Sequence, residues 1–273
     1  MLIVAKILVT FLTVILLAKV AERLSPRHAG LLAGFPLGTA IALYFFGWQQ
    51  GAAFAADSAV FTLPGLSAAI CLAWGYQQVI QRRAGLNWLP LAILVALGCF
   101  LLAASILQLL PQHRGLNLLV VMAAILIFRT LFRSLADTQI QQAAQGIWAN
   151  KWLTLLLRAS IATLSILLIT GLAELLGPQR AGLLAAFPVS FFPLMLILHI
   201  SYGAPVLSAS IKHYPDGIGA LVVYCLAVSS LYPLLGLHWG TLASLLCSVA
   251  YLLLYGRLRA HWQRRRDSYK QQL

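Results

Sequence analysis

Apolar stretches of membrane-spanning length recur along the chain, and polar residues are gathered into the short gaps between them. A helix rises about 1.5 Å per residue, so roughly 20 apolar residues cross a hydrocarbon core of about 30 Å. The runs predict helices at 2–22, 29–49, 55–80, 87–110, 116–133, 152–174, 181–202, 206–235 and 238–256. The first, MLIVAKILVTFLTVILLAKVAERL, lacks a small-residue cleavage site and matches a later segment in register, so it reads as a retained helix. The expectation is an all-α polytopic membrane protein of about nine transmembrane helices.

The apolar pattern also repeats. AGLLAGFP from Ala29 returns as AGLLAAFP from Ala181, with seven of eight residues unchanged. An offset of 152 pairs Phe35-Pro36 with Phe187-Pro188, Glu22 with Glu174, Pro26 with Pro178, Gly51 with Gly203, Ser58 with Ser210, and Lys6 with Arg158. One residue of slippage pairs LNW at Leu86 with LHW at Leu237. The match runs through four helices of each half, whereas 116–133 has no counterpart. Four helices and one unpaired helix bring the second copy into the membrane from the opposite side. The expected organisation is therefore two inverted four-helix repeats, 1–110 and 152–256, joined by a linker helix and connector at 111–151 and followed by a basic tail at 257–273.

Composition fits this picture: 61% of the 273 residues are hydrophobic and 9% charged. The net charge of +13 sits between apolar runs and in the tail, so it reads as a topology signal and an attraction to anionic lipid rather than to nucleic acid. If odd-numbered helices run inward, cytoplasmic segments hold Lys19, Arg23, Arg27, Arg82, Arg83, Arg133, Lys151 and the tail, leaving little beyond Arg114 and Arg180 outside. That places the N-terminus outside and the C-terminus in the cytoplasm of a bacterial-type inner membrane. Cys71, Cys99, Cys225 and Cys247 lie within apolar runs without CxxC spacing and read as packing residues.

The segment AGLLAAFPVSFFPLMLILHISYG, Ala181 to Gly203, followed by two further spans, resembles the GlpM-type family of small four-helix bacterial inner-membrane proteins. The second half carries the closer likeness; the first has Gly47 where His199 stands. The resemblance implies inner-membrane residence and a fused pair of modules, and supplies no defined activity.

Proline inside a helix removes a backbone hydrogen bond and opens the preceding turn, and the freed carbonyl must then face protein, water or ligand. Pro36 and Pro188, approached from opposite faces, mark interrupted helices near the midplane, where transporters built from inverted repeats hold substrate. Phe35, Pro36, Gly38, Thr39, Phe187, Pro188 and Ser190 are the candidate substrate-binding residues. The alternative is that proline and glycine serve only kinks and close packing.

Charged residues supply gate or coupling candidates. Lys6 with Glu174, and Arg158 with Glu22, could form an outer and an inner ion pair, or each could pair locally and snorkel. Asp57, Lys212, His213 and Asp216 open the third helix of each half, either entering the membrane or lying at its surface. There is no HExxH, GxSxG or aspartate cluster, so the sequence calls for no catalytic residue, metal or cofactor. The leading expectation is a secondary transporter working by alternating access on an unknown, anionic or amphipathic small molecule or lipid headgroup. The second is a membrane scaffold or accessory subunit, and the third an intramembrane enzyme. Membrane lipid is the expected partner, and homo-oligomerisation is left open.

Overall fold

The computed structural model describes residues 2–22, 35–83, 85–111, 113–136, 138 and 150–271. Among them the chain is helical: α1 Leu2–Glu22, α2 Leu37–Gln50, α3 Ala52–Arg82, α4 Leu89–Leu107, α5 Arg114–Leu131, α6 Lys151–Ala185, α7 Phe191–Tyr202 and α8 Ala204–Gln271. Short 3₁₀ turns, Leu86–Trp88 and Phe132–Ser134, extend α4 and α5. Five of these helical stretches are long and apolar enough to cross a membrane, and Ile3–Leu16 and Phe191–Tyr202 are shorter apolar helices. Leu8, Leu101, Leu119, Leu168 and Leu246 are each more than half exposed, an apolar exterior that water would not tolerate and lipid tails would. The architecture is that of a helical membrane-embedded protein.

The nine separate helices expected from the apolar runs are corrected in two ways. The gaps at 175–180 and 236–237 are not loops: helical bonding continues through them apart from one non-helical glycine each, Gly177 (φ 71°, ψ 172°) and Gly236 (φ 72°, ψ −178°). The expected helix 181–202 is also split at Pro188, its first half ending α6 and its second forming α7. The start of the expected helix 29–49, most of the 134–150 connector and the Glu22 side chain lie outside the described residues.

The chain doubles back at Gly236. Tyr232 and Thr241 hydroxyls are 2.8 Å apart, and Ser248 donates to the carbonyl of Ala220 at 3.2 Å. In a straight helix, residues 28 apart in sequence would stand about 42 Å from each other. Gly236 matches Gly85, also at positive φ (135°), with the one-residue slippage seen in sequence. Gly51 (φ 93°) and Gly203 (φ 81°) match at 152 and accept equivalent bonds, from Ala55 at 3.3 Å and Leu207 at 3.4 Å.

Contacts between distant residues sort into two ends of the bundle. Toward one end, Tyr44 meets His238 (3.1 Å), Asn117 donates to the Val60 carbonyl (3.2 Å), and Arg114 to the Ser229 carbonyl (2.7 Å). Toward the other, Tyr76 meets His199 (2.9 Å), Gln77 donates to Ser208 (2.8 Å), and Lys212 to the Leu135 carbonyl (2.8 Å). Consequently α2 and α7, which correspond in sequence, run from the middle of the bundle toward opposite ends.

Helix α3 is the hub, contacting α2, α4, α5, α6 and α8. In its most apolar stretch 89% of residues are buried, against 22% for α4 and 17% for α5. Small residues let its neighbours approach. A methyl group on Gly65 would lie 2.7 Å from the Ala186 side chain, and one on Gly182 would collide with the Ser58 carbonyl. The Thr62 hydroxyl sits between the carbonyls of Ser58 in its own helix (2.9 Å) and of Gly182 (3.0 Å), sharing its one proton between them at this contact.

Gly182→Ala should therefore destabilise the purified protein by about 1–3 kcal/mol, because the added methyl runs into the Ser58 backbone carbonyl, which cannot swing aside as a side chain can. Gly171→Ala, with no atom within 4 Å of the new Cβ, should leave stability unchanged or slightly raised. Thermal unfolding of both variants in detergent tests the contrast.

Candidate functional site

The two Phe-Pro breaks have the same backbone. Leu37 N–H donates to the Phe35 carbonyl at 2.7 Å, and Val189 N–H to the Phe187 carbonyl at 2.7 Å, each closing a three-residue turn centred on proline. The helices then restart, Ala40 N–H donating to the Pro36 carbonyl (2.7 Å) and Phe192 N–H to the Pro188 carbonyl (2.8 Å). Pro36 and Ser190 occupy the N-cap positions of α2 and α7, and neither helix start receives a side-chain cap. Among the described residues no backbone acceptor meets the N–H groups of Gly38, Thr39, Ser190 or Phe191.

These breaks meet. A methyl group on Gly38 would stand 2.8 Å from Val189 Cβ, so the absence of a side chain at 38 permits the approach. Thr39 Oγ1 donates to the Ala185 carbonyl at 3.1 Å, pinning the start of α2 to the end of α6. Phe35, Gly38 and Thr39 from one break and Phe187, Pro188 and Ser190 from the other line a single cavity. About 30 Å³ of it is open to the centre of a water molecule, room for about two waters. Pro36 is buried immediately behind that wall.

Further walls come from residues the sequence reading did not single out: Leu66, Val189, Phe191, Tyr214 and Leu221. Tyr214 stacks on Phe191 with ring centroids 3.9 Å apart and 3° between planes. The one local signal for it was Pro215, which makes Tyr214-Pro215 one of five aromatic-proline steps, with Phe35-Pro36, Phe187-Pro188, Phe192-Pro193 and Tyr232-Pro233.

Among the described residues none of the gate or coupling candidates lines this cavity. Lys6 is buried, with its Nζ 5.8 Å from the centre of the Phe45 ring, while Glu174 is exposed and no ion pair joins them. The outer gate pair is thus not assembled: the α1 residue turns inward onto α2, whereas Glu174 faces away. Arg158 has a buried Nε without a hydrogen-bond partner, and its expected partner Glu22 has a side chain outside the described residues. Asp57 is exposed. Asp216 faces Arg129 at 3.5 Å and His213 at 3.9 Å, and Lys212 holds Leu135, so 212–216 forms a polar tie to α5 at one end of the bundle.

No protein-family model, curated protein or solved structure matches the chain. Its function has to be argued from its own geometry.

Thr39→Val should cost about 1–3 kcal/mol, because it leaves the buried Ala185 carbonyl without a donor, and Thr39→Ser should restore most of that loss. Melting temperatures of the two variants in one detergent provide the comparison.

Proposed function

We propose that this chain is a secondary transporter whose two halves alternate access to the cavity between the Phe-Pro breaks. The observation that carries the reading is the meeting of those breaks: sequence-equivalent turns at Pro36 and Pro188 enter from opposite directions and share one cavity. In this reading the halves are inverted repeats about α5. The nine passages then comprise α1, α3, α4 and α5, the two interrupted helices that include α2 and α7, the first arm of α6, and the two arms of α8. The matching glycine turns and the opposed directions of α2 and α7 support it.

In this reading the Tyr76–His199 bond toward one end and the Tyr44–His238 bond toward the other are contacts that alternating access would make and break in turn. Arg82, Arg83, Arg129 and Arg133 collect at the end holding His199, which the positive-inside preference makes cytoplasmic in a bacterial-type inner membrane. A second reading, a non-transporting scaffold, draws on the tight contact of Gly182 with Ser58, since small-residue packing serves assembly equally well.

Metabolite profiles of cells and medium should differ between a strain overproducing the chain and a deletion strain. The double substitution Pro36→Ala/Pro188→Ala should return the profile to that of the deletion while the protein still accumulates in the membrane. A profile that survives the double substitution would favour the scaffold.

A further inference from the structure

We propose that the cavity is a carboxylate site, taking the single negative charge of a small monocarboxylic acid whose apolar body lies against the surrounding walls. The proposal rests on reading this cavity as the substrate site and adds the chemical class of the ligand.

Two uncapped helix starts, those of α2 and α7, open onto the cavity. Each helix N-terminus carries roughly half a positive charge, so together they balance about one negative charge. A second observation points to the same ligand. Tyr214 is 8% exposed and lines the cavity, and its hydroxyl has no hydrogen-bond partner among the described residues. With no partner in the protein, that hydroxyl is available to donate to a ligand in the cavity, and its ring is held in place by stacking on Phe191.

The charge count selects among anions. Among the described residues no Lys or Arg and no carboxylate lines the cavity. A phosphate dianion would leave about one charge uncompensated within the hydrocarbon layer, which is costly. A carboxylate carries one charge on two oxygens, one for each helix start, with the Tyr214 hydroxyl as a further donor. The walls contributed by Phe35, Leu66, Phe187 and Leu221 suit a short aliphatic or aromatic body better than a hydrated halide. Space for about two waters accommodates the carboxylate itself, and the apolar body lies along the walls outside that space.

The test is saturable binding of radiolabelled acetate, butyrate, benzoate and laurate to the purified full-length protein in detergent, with chloride, phosphate and benzamide as competitors. At least one carboxylate should bind, and chloride, phosphate and the neutral benzamide should not displace it. Displacement by short acids points to a soluble source, and binding of laurate alone to a membrane-borne one; either supports the class. Tyr214→Phe keeps the stacked ring and should weaken binding about tenfold or more, the loss of one hydrogen bond to a charged group. Ser190→Asp places a carboxylate at the start of α7 and should abolish binding while raising the melting temperature. No binding by any of the four acids, preferential binding of phosphate or chloride, or unchanged affinity in both variants would overturn the proposal. Carboxylate binding without movement of the bound acid into proteoliposomes would sink the transport reading and leave the site standing. Transport restricted to neutral or cationic solutes would do the reverse.

Discussion

In hydrocarbon a backbone amide or carbonyl finds no water, so every interruption of a helix must be repaired by the protein itself. This constraint organises the centre of the molecule. Pro188 interrupts the helix between α6 and α7; the carbonyls of Leu183 and Leu184 are met by tightened bonds from Ala186 and Phe187, and that of Ala185 by Thr39 from the other half. One turn earlier, Thr62 of α3 reaches the Gly182 carbonyl. Two threonines from different helices thus stabilise the stretch leading into the break. Each can reach it because glycine and alanine at 181, 182 and 185 keep the helices close. The phrase AGLLA is a packing surface, and the Phe-Pro that follows is the opening it supports.

At the Pro188 break the incoming carbonyls are met, while the Ser190 and Phe191 amides on the outgoing side find no backbone acceptor among the described residues. That asymmetry gives the cavity its electrostatic sign. It arises from helix polarity alone and needs no charged side chain in the lipid interior. The cations in the first helix of each half point elsewhere: Lys6 lies over Phe45 and the Arg158 Nε is enclosed in α6, which packs on α1.

Much of this was legible in the residues, because duplication makes weak local signals count twice. The offset of 152 located both breaks and both matching glycines, and seven candidate residues from the breaks were gathered at one place, six on the cavity wall and Pro36 behind it. Hydropathy was less informative about separation. It read 175–180 and 236–237 as loops, where one glycine at positive φ suffices to turn the chain with little loss of helical bonding. Side-chain direction was beyond its reach altogether: offset symmetry puts Lys6 level with Glu174 but does not say that Lys6 faces inward and Glu174 outward. Tyr214 was hidden for a related reason, standing among the charged residues of KHYPDG while turning to the opposite face of its helix.

Helix α5, the element without a sequence counterpart, is tied to both halves. Asn117 holds α3 of the first, Arg114 holds the Ser229 carbonyl of the second, and Arg129 with the Leu135 carbonyl holds α8 again at the far end. Such bracing restricts how the halves can shift. Sliding along the bundle axis would break the ties at both ends together, whereas tilting one half about α5 would loosen those at one end and preserve those at the other. The helix without a counterpart is thus a brace that holds both halves of the chain at one end and the second half again at the other.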